Sequence, residues 1–129
     1  MSLIASIQHV VNLAKHHIHT ITSKSKRSSR WPAVERQWKK EHPKCAACGS
    51  EIRVQVHHKQ PFHLYPALEL DETNLISLCM DKLDCHLLIG HGGSFKAFVP
   101  SVAVLAAQLR ASPATRDAVV YAAKVSRKF

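Results

Sequence analysis

Along the first two dozen residues the apolar positions fall at Leu3, Ile4, Ile7, Val10, Val11, Ala14, Ile18 and Ile21, with Leu13 off the stripe. That is helical spacing, and it leaves Gln8, Asn12, Lys15 and His19 to water. Residues 1–22 are expected to form an amphipathic helix packed on the domain or on a second subunit, with His16, His17 and His19 as its solvated end. The pattern then stops. Residues 23–30, Ser-Lys-Ser-Lys-Arg-Ser-Ser-Arg, carry four positive charges and no acidic or apolar side chain, which predicts a flexible basic linker. Pro32 suits the first turn of a second helix in which Val34 and Trp38 share a face, and Pro43 stops it.

Alternation over Ile52–Val56 predicts a strand, and Asn74–Leu78 a second. The loop between them, residues 59–73, contains Pro61 and Pro66 and is long for a hairpin, the kind of loop that usually serves function. Leu83–Ile89 is expected to be a short helix ended by Gly90, with Gly92-Gly93 as a break. Ser101 and Ser112-Pro113 open two further helices, and Val104, Leu105 and Leu109 at helical spacing read as a packed face. The class is α+β, organised as a helix (1–22), a basic linker (23–30), a core (31–99) and a helical extension (100–129).

A chain of 129 residues allows one domain with a modest core. Its 46% hydrophobic and 21% charged residues exclude collagenous and low-complexity classes. No run approaches the ~18 apolar residues of a membrane span, so a soluble protein without membrane partners is expected. Met1–Ile21 lacks a basic leader segment and reads as mature chain, so a cytoplasmic protein is expected. Charge changes the picture more. Eighteen Lys and Arg against nine Asp and Glu give +9, and residues 1–44 hold nine basic and two acidic residues, a net +7. Such a field favours phosphate, although a basic balance also serves solubility alone. Lys24, Lys26, Arg27, Arg30, Arg36, Lys39, Lys40 and Lys59 are the candidates to track a nucleic-acid backbone, with binding that weakens as salt rises.

Cys45-x2-Cys48 followed by Gly49 has the form of a zinc knuckle, and Cys79-x5-Cys85 is its one candidate partner. In an intracellular chain a four-cysteine structural zinc site is preferred to two disulfides or to four unligated thiols. A second cluster comprises His57-His58, Asn74, His86 and His91. Successive side chains of a strand point opposite ways, so one of His57 and His58 suits a metal while the other suits a base. Asn74 would supply or support the hydrogen bond that fixes the base's tautomer.

Cys45-x2-Cys48, Val56-His57-His58-Lys59, Asn74-Leu75-x2-Leu78-Cys79 and Cys85-His86-Leu87-Leu88, in that order, resemble the HNH endonucleases across residues 31–99. The resemblance implies a ββα-metal finger, a hairpin and one helix, braced by the four-cysteine zinc and flanked here by N- and C-terminal helices. It implies His58 as general base, His57 and His86 as ligands of a catalytic metal, and Asn74 as the residue orienting the base or the hairpin. It further implies hydrolysis of DNA phosphodiester bonds, by nicking or double-strand cleavage, to a 5′-phosphate and a 3′-hydroxyl. By analogy the catalytic ion is Mg²⁺ or Mn²⁺, while imidazole ligands also accept Ni²⁺, Co²⁺ or Zn²⁺. The partner is double-stranded DNA, with a homodimer or a larger phage or mobile-element complex as further settings.

Two features depart from the family pattern. Five residues separate the second cysteine pair, and His91 stands five residues after His86, about 140° away on an ideal helix. A left-handed turn at Gly90 would swing His91 back as a third ligand; a phosphate contact and an exposed histidine are the alternatives. His63, in the long loop, is a candidate substrate contact or a surface residue. Two rival readings stand: a non-catalytic zinc-braced nucleic-acid-binding module, and an interaction module using the tail Val102–Lys124.

Overall fold

The computed structural model describes residues 26–129. The expected N-terminal helix, Lys24 and the histidines at 16, 17 and 19 lie outside the described residues. The fold is mixed helix and strand. In chain order it comprises α1 (Trp31–Glu41), β1 (Val54–His58), β2 (Leu75–Cys79), one wide helical turn (His86–Gly90), α2 (Val102–Ala111) and α3 (Arg116–Ser126). The two strands form an antiparallel hairpin with Val54 opposite Cys79, His57 opposite Ile76 and His58 opposite Leu75.

Alternation along β1 sends its side chains to two differently covered faces. On one side lies α1, which begins with proline in its first turn, as expected. Trp31 packs on His58 with ring centres 4.5 Å apart, and the Trp38 indole N–H donates to Ser77 Oγ at 3.0 Å. The Ser77 hydroxyl in turn donates to the His42 carbonyl at 2.7 Å, fastening the end of α1 to β2. On the other side the His86–Gly90 turn and the C-terminal helices cover His57, Ile76 and Leu78. β2 is buried at all five positions, because both of its faces are covered.

The core is continuous. Leu78, Ile89, Val99 and Val102 are fully buried, and Leu105, Leu109, Val119 and Ala123 pack into the same cluster as Cys45, Cys79 and Cys85. The segment 100–129 is therefore part of the core-forming unit, and Phe98 and Lys128 exchange backbone hydrogen bonds across a short bridge. Leu105 and Leu109 turn inward and Val104 outward, as a packed amphipathic helix requires. No helix among the described residues is long and apolar enough to cross a membrane.

Several boundaries move from their expected positions for local reasons. Arg53 adopts φ +48°, so β1 starts at Val54 rather than Ile52. Asp84 adopts φ +44°, which interrupts helical phase and delays the turn to His86. Pro113–Thr115 forms a tight 3-10 turn, so the last helix starts at Arg116. The long 59–73 loop is ordered by two such turns, Pro66–Leu68 and Glu72–Asn74.

Candidate metal centres

Cys45, Cys48, Cys79 and Cys85 converge, with all four sulfurs within 4.8 Å of one another and Cys48 Sγ 3.5 Å from Cys79 Sγ. Tetrahedral zinc with Zn–S bonds of about 2.3 Å places sulfurs about 3.8 Å apart, so the cluster has the size of a structural zinc site. The five-residue spacing is absorbed by the break at Asp84. Gly49 turns the knuckle at φ +80°, and a Cβ there would collide with the Arg110 guanidinium, which donates to the Cys48 carbonyl at 3.4 Å. Backbone bonds from Gly49 to Cys45 and from Cys45 to Ser50 close the loop.

The thiols' acidities show what the cluster requires. The adjacent Cys85 thiol stabilises a thiolate at Cys45, pulling it down to about 4. Burial pushes Cys48 up to about 11, and the Cys45 sulfur together with burial pushes Cys85 up. A divalent cation is what lets the remaining sulfurs ionise, and these residues could hold one such as zinc.

The second centre is built from His57 on β1 and His86 and His91 at the two ends of the wide turn, each offering one nitrogen to a common point. His86 Nε2 lies 3.0 Å from His57 Nδ1 and 3.1 Å from His91 Nε2. The sequence separation of five is met by a turn of matching width. The His91 N–H bonds the His86 carbonyl at 3.1 Å, an i→i−5 step that brings His91 back over His86. Gly90 is not left-handed, so His91 returns by the wide turn and not by a left-handed one; the positive-φ glycines are Gly49, Gly92 and Gly93.

His91 Nδ1 lies 2.7 Å from the Ala97 carbonyl, which can only accept, so the proton sits on Nδ1 and Nε2 presents a lone pair. A single proton at His86 Nε2 can lie along one of its two contacts and leaves the other uncompensated. His57 Nε2 and His86 Nδ1 are buried without a hydrogen-bond partner among the described residues. Burial holds all three imidazoles neutral: His57 well below its ordinary value with His86 adding to the effect, His86 down to about 4, and His91 lowered. Three neutral, converging nitrogens, on one buried and two half-buried rings, form a donor set for a transition-metal ion.

Gly90 makes this packing feasible. A Cβ there would stand 3.0 Å from Leu78 Cδ1, 3.2 Å from His57 Cε1 and 3.3 Å from His57 Nε2. Gly90→Ala is therefore expected to displace the His57 ring, lowering affinity for a metal at the triad by about tenfold or more. Overpacking should also lower stability by about 1–3 kcal/mol. Calorimetric titration with Mn²⁺ beside urea unfolding checks both, and unchanged Mn²⁺ affinity would show that the ring has room to move.

His58 points to the α1 side. Its Nε2 lies 2.9 Å from the Glu69 carbonyl, which fixes the proton on Nε2 and leaves Nδ1 as the free lone pair. Burial lowers its pKa, so the ring is neutral near pH 7. Asn74 is buried and does not bond His58. Its amide donates to the Gln60 and Leu68 carbonyls at 3.0 and 3.2 Å and accepts from the Gln60 N–H at 2.9 Å, so it ties the loop ends together.

The basic residues divide. Lys26, Arg30, Arg36, Lys39 and Lys40 are exposed on the arm and α1. Lys59 donates to the Thr73 carbonyl at 2.9 Å, and Arg27 is ion-paired with Glu69 at 3.1 Å. Lys59 also borders a cavity of about 460 Å³ with Lys44, Arg110 and Trp38, which the sequence did not mark. His63 is exposed. Comparison with protein-family models, curated proteins and solved structures gave no match, so the reading of the site rests on its own geometry.

Proposed function

We propose that the chain is a metal-dependent endonuclease of the HNH type that hydrolyses phosphodiester bonds in double-stranded DNA. The observation that supports this reading is the pairing of two histidine environments one residue apart. His57, itself buried, turns into a three-nitrogen donor set, while His58 turns away with its tautomer fixed and one nitrogen free.

In this reading His58 Nδ1 takes a proton from water as the water oxygen bonds to phosphorus, and the bond from phosphorus to the 3′ oxygen breaks. His57, His86 and His91 would hold a divalent ion, which would supply Lewis-acid stabilisation of the charge developing on that oxygen. The 3′ oxygen acquires its proton from solvent, leaving a 5′-phosphate and a 3′-hydroxyl. Three nitrogen donors suit Mn²⁺, Ni²⁺, Co²⁺ or Zn²⁺ better than Mg²⁺. The cysteine cluster, one residue before His86, anchors the start of the turn that carries His86 and His91. Exposed Lys26, Arg30, Arg36, Lys39 and Lys40 follow the phosphate backbone.

The test is conversion of supercoiled plasmid to open-circle and linear forms by wild type and His86→Ala, with Mn²⁺, Mg²⁺ or EDTA. Metal-dependent cutting by the wild type that EDTA and His86→Ala both abolish is the expected result. Plasmid binding without cutting in any metal would instead identify a zinc-braced nucleic-acid-binding module.

A further inference from the structure

Glu69 is the one carboxylate buried among the described residues, with 3% of its surface exposed. Burying a carboxylate is costly unless it is paired and hydrogen-bonded. Here both requirements are met from the segment just before α1. Arg27 Nη1 donates to Oε2 at 3.1 Å and the Ser28 backbone N–H to Oε1 at 2.9 Å. The Arg27 guanidinium sits 4.7 Å from the Phe62 ring and 5.6 Å from the Trp31 ring. Trp31 packs in turn on His58.

The main chain of the same residue meets His58. Its carbonyl accepts from His58 Nε2, and the preceding carbonyl, that of Leu68, is held by Asn74. One residue thus joins the arm through its side chain to His58 through its backbone. A salt bridge serving stability alone would need no particular orientation of the Glu69 peptide. In this fold the residue is held at its carboxylate and at the preceding carbonyl, which restrains the oxygen that accepts from His58.

We infer that Glu69 is a positioning residue for His58: anchored by Arg27 and Ser28, it sets the carbonyl that keeps the imidazole in its Nε2–H form with Nδ1 turned to the reacting water. The arm is then part of the reaction site's support as well as a tether. This rests on the reading of His58 as general base, and the experiment separates the two ideas. It uses the full chain with both metal sites loaded, and the variants Glu69→Ala, Arg27→Ala and Arg27→Lys. Arg27 is half exposed, so its variants keep the fold if Glu69→Ala does not.

The first readout is the ¹⁵N tautomer signature of His58, which needs no activity. The second is kcat for plasmid nicking at measured metal content. Glu69→Ala and Arg27→Ala should shift His58 to a mixed tautomer and lower kcat about 10- to 100-fold with little change in KM, the range typical when the outer partner of a functional histidine is lost. Arg27→Lys should restore most of both. An unchanged His58 spectrum in folded variants, whatever kcat does, would make the ion pair a structural strut and overturn the inference. If the wild type cuts no DNA while the tautomer still shifts, the nuclease reading falls and the anchoring of His58 by Glu69 stands.

Discussion

Cys79→Ser is expected to leave the chain unable to complete its fold, and a strong chelator to do the same to the wild type. The four cysteines join three segments of the chain: Cys45 and Cys48 follow α1, Cys79 ends β2, and Cys85 opens the turn that carries two of the triad histidines. The apolar core beneath them is small, with Leu78, Ile89, Val99 and Val102 as its largest fully buried members apart from three of the cysteines themselves. Structural zinc contributes on the order of 10 kcal/mol to folding, and the whole net stability of a domain this size is about 5–15 kcal/mol. Losing one ligand therefore removes most of what separates folded from unfolded. Zinc stoichiometry and circular dichroism on heating, with and without chelator, check this in a His86→Ala background that isolates the cysteine site. One zinc per chain and loss of the cooperative transition on chelation are expected. A transition indifferent to chelator would reduce the cluster to packed thiols.

How far the sequence foretold this arrangement depended on how local each signal was. The knuckle, the hairpin and the helices after residue 100 follow from spacing that acts over a few residues, and their positions differ from expectation by only two or three. At β1 and at the His86 turn the differences come from Arg53 and Asp84, which adopt left-handed backbone that non-glycine residues rarely signal, and at the last helix from the Pro113–Thr115 turn. His91 was legible as a candidate but not its route to the triad, because an ideal helix has the wrong phase and the wide turn depends on tertiary packing. Glu69 escaped notice for a different reason. Its partners Arg27 and His58 stand 42 and 11 residues away, and the only local hint was a lone carboxylate between Leu68 and Leu70. Arg27 shows the converse limit: composition groups it with the phosphate contacts and gives no sign of its ion pair with Glu69, which it makes while half its side chain stays exposed.

His58→Ala is expected to lower the rate of plasmid cleavage by about 10²- to 10⁴-fold, the usual contribution of a positioned general base. That loss corresponds to about 3–5.5 kcal/mol of barrier. The two histidines of β1 face different surroundings, which sharpens the expected outcome beyond the size of the effect. His58 contributes no nitrogen to the triad and lies against Trp31 and the Glu69 carbonyl. Its removal should therefore leave zinc content, Mn²⁺ affinity and plasmid binding at wild-type levels, while His57→Ala should lose Mn²⁺ affinity together with activity. Parallel measurement of metal affinity and nicking rate in the two variants separates ligand from base. If His58→Ala cuts at the wild-type rate, the proton must leave the water by another route, and the fixed tautomer of His58 would then serve the hairpin rather than the reaction. If His58→Ala loses metal together with rate, the two neighbouring imidazoles act as one unit, and the division of labour that the strand's alternation implies is wrong.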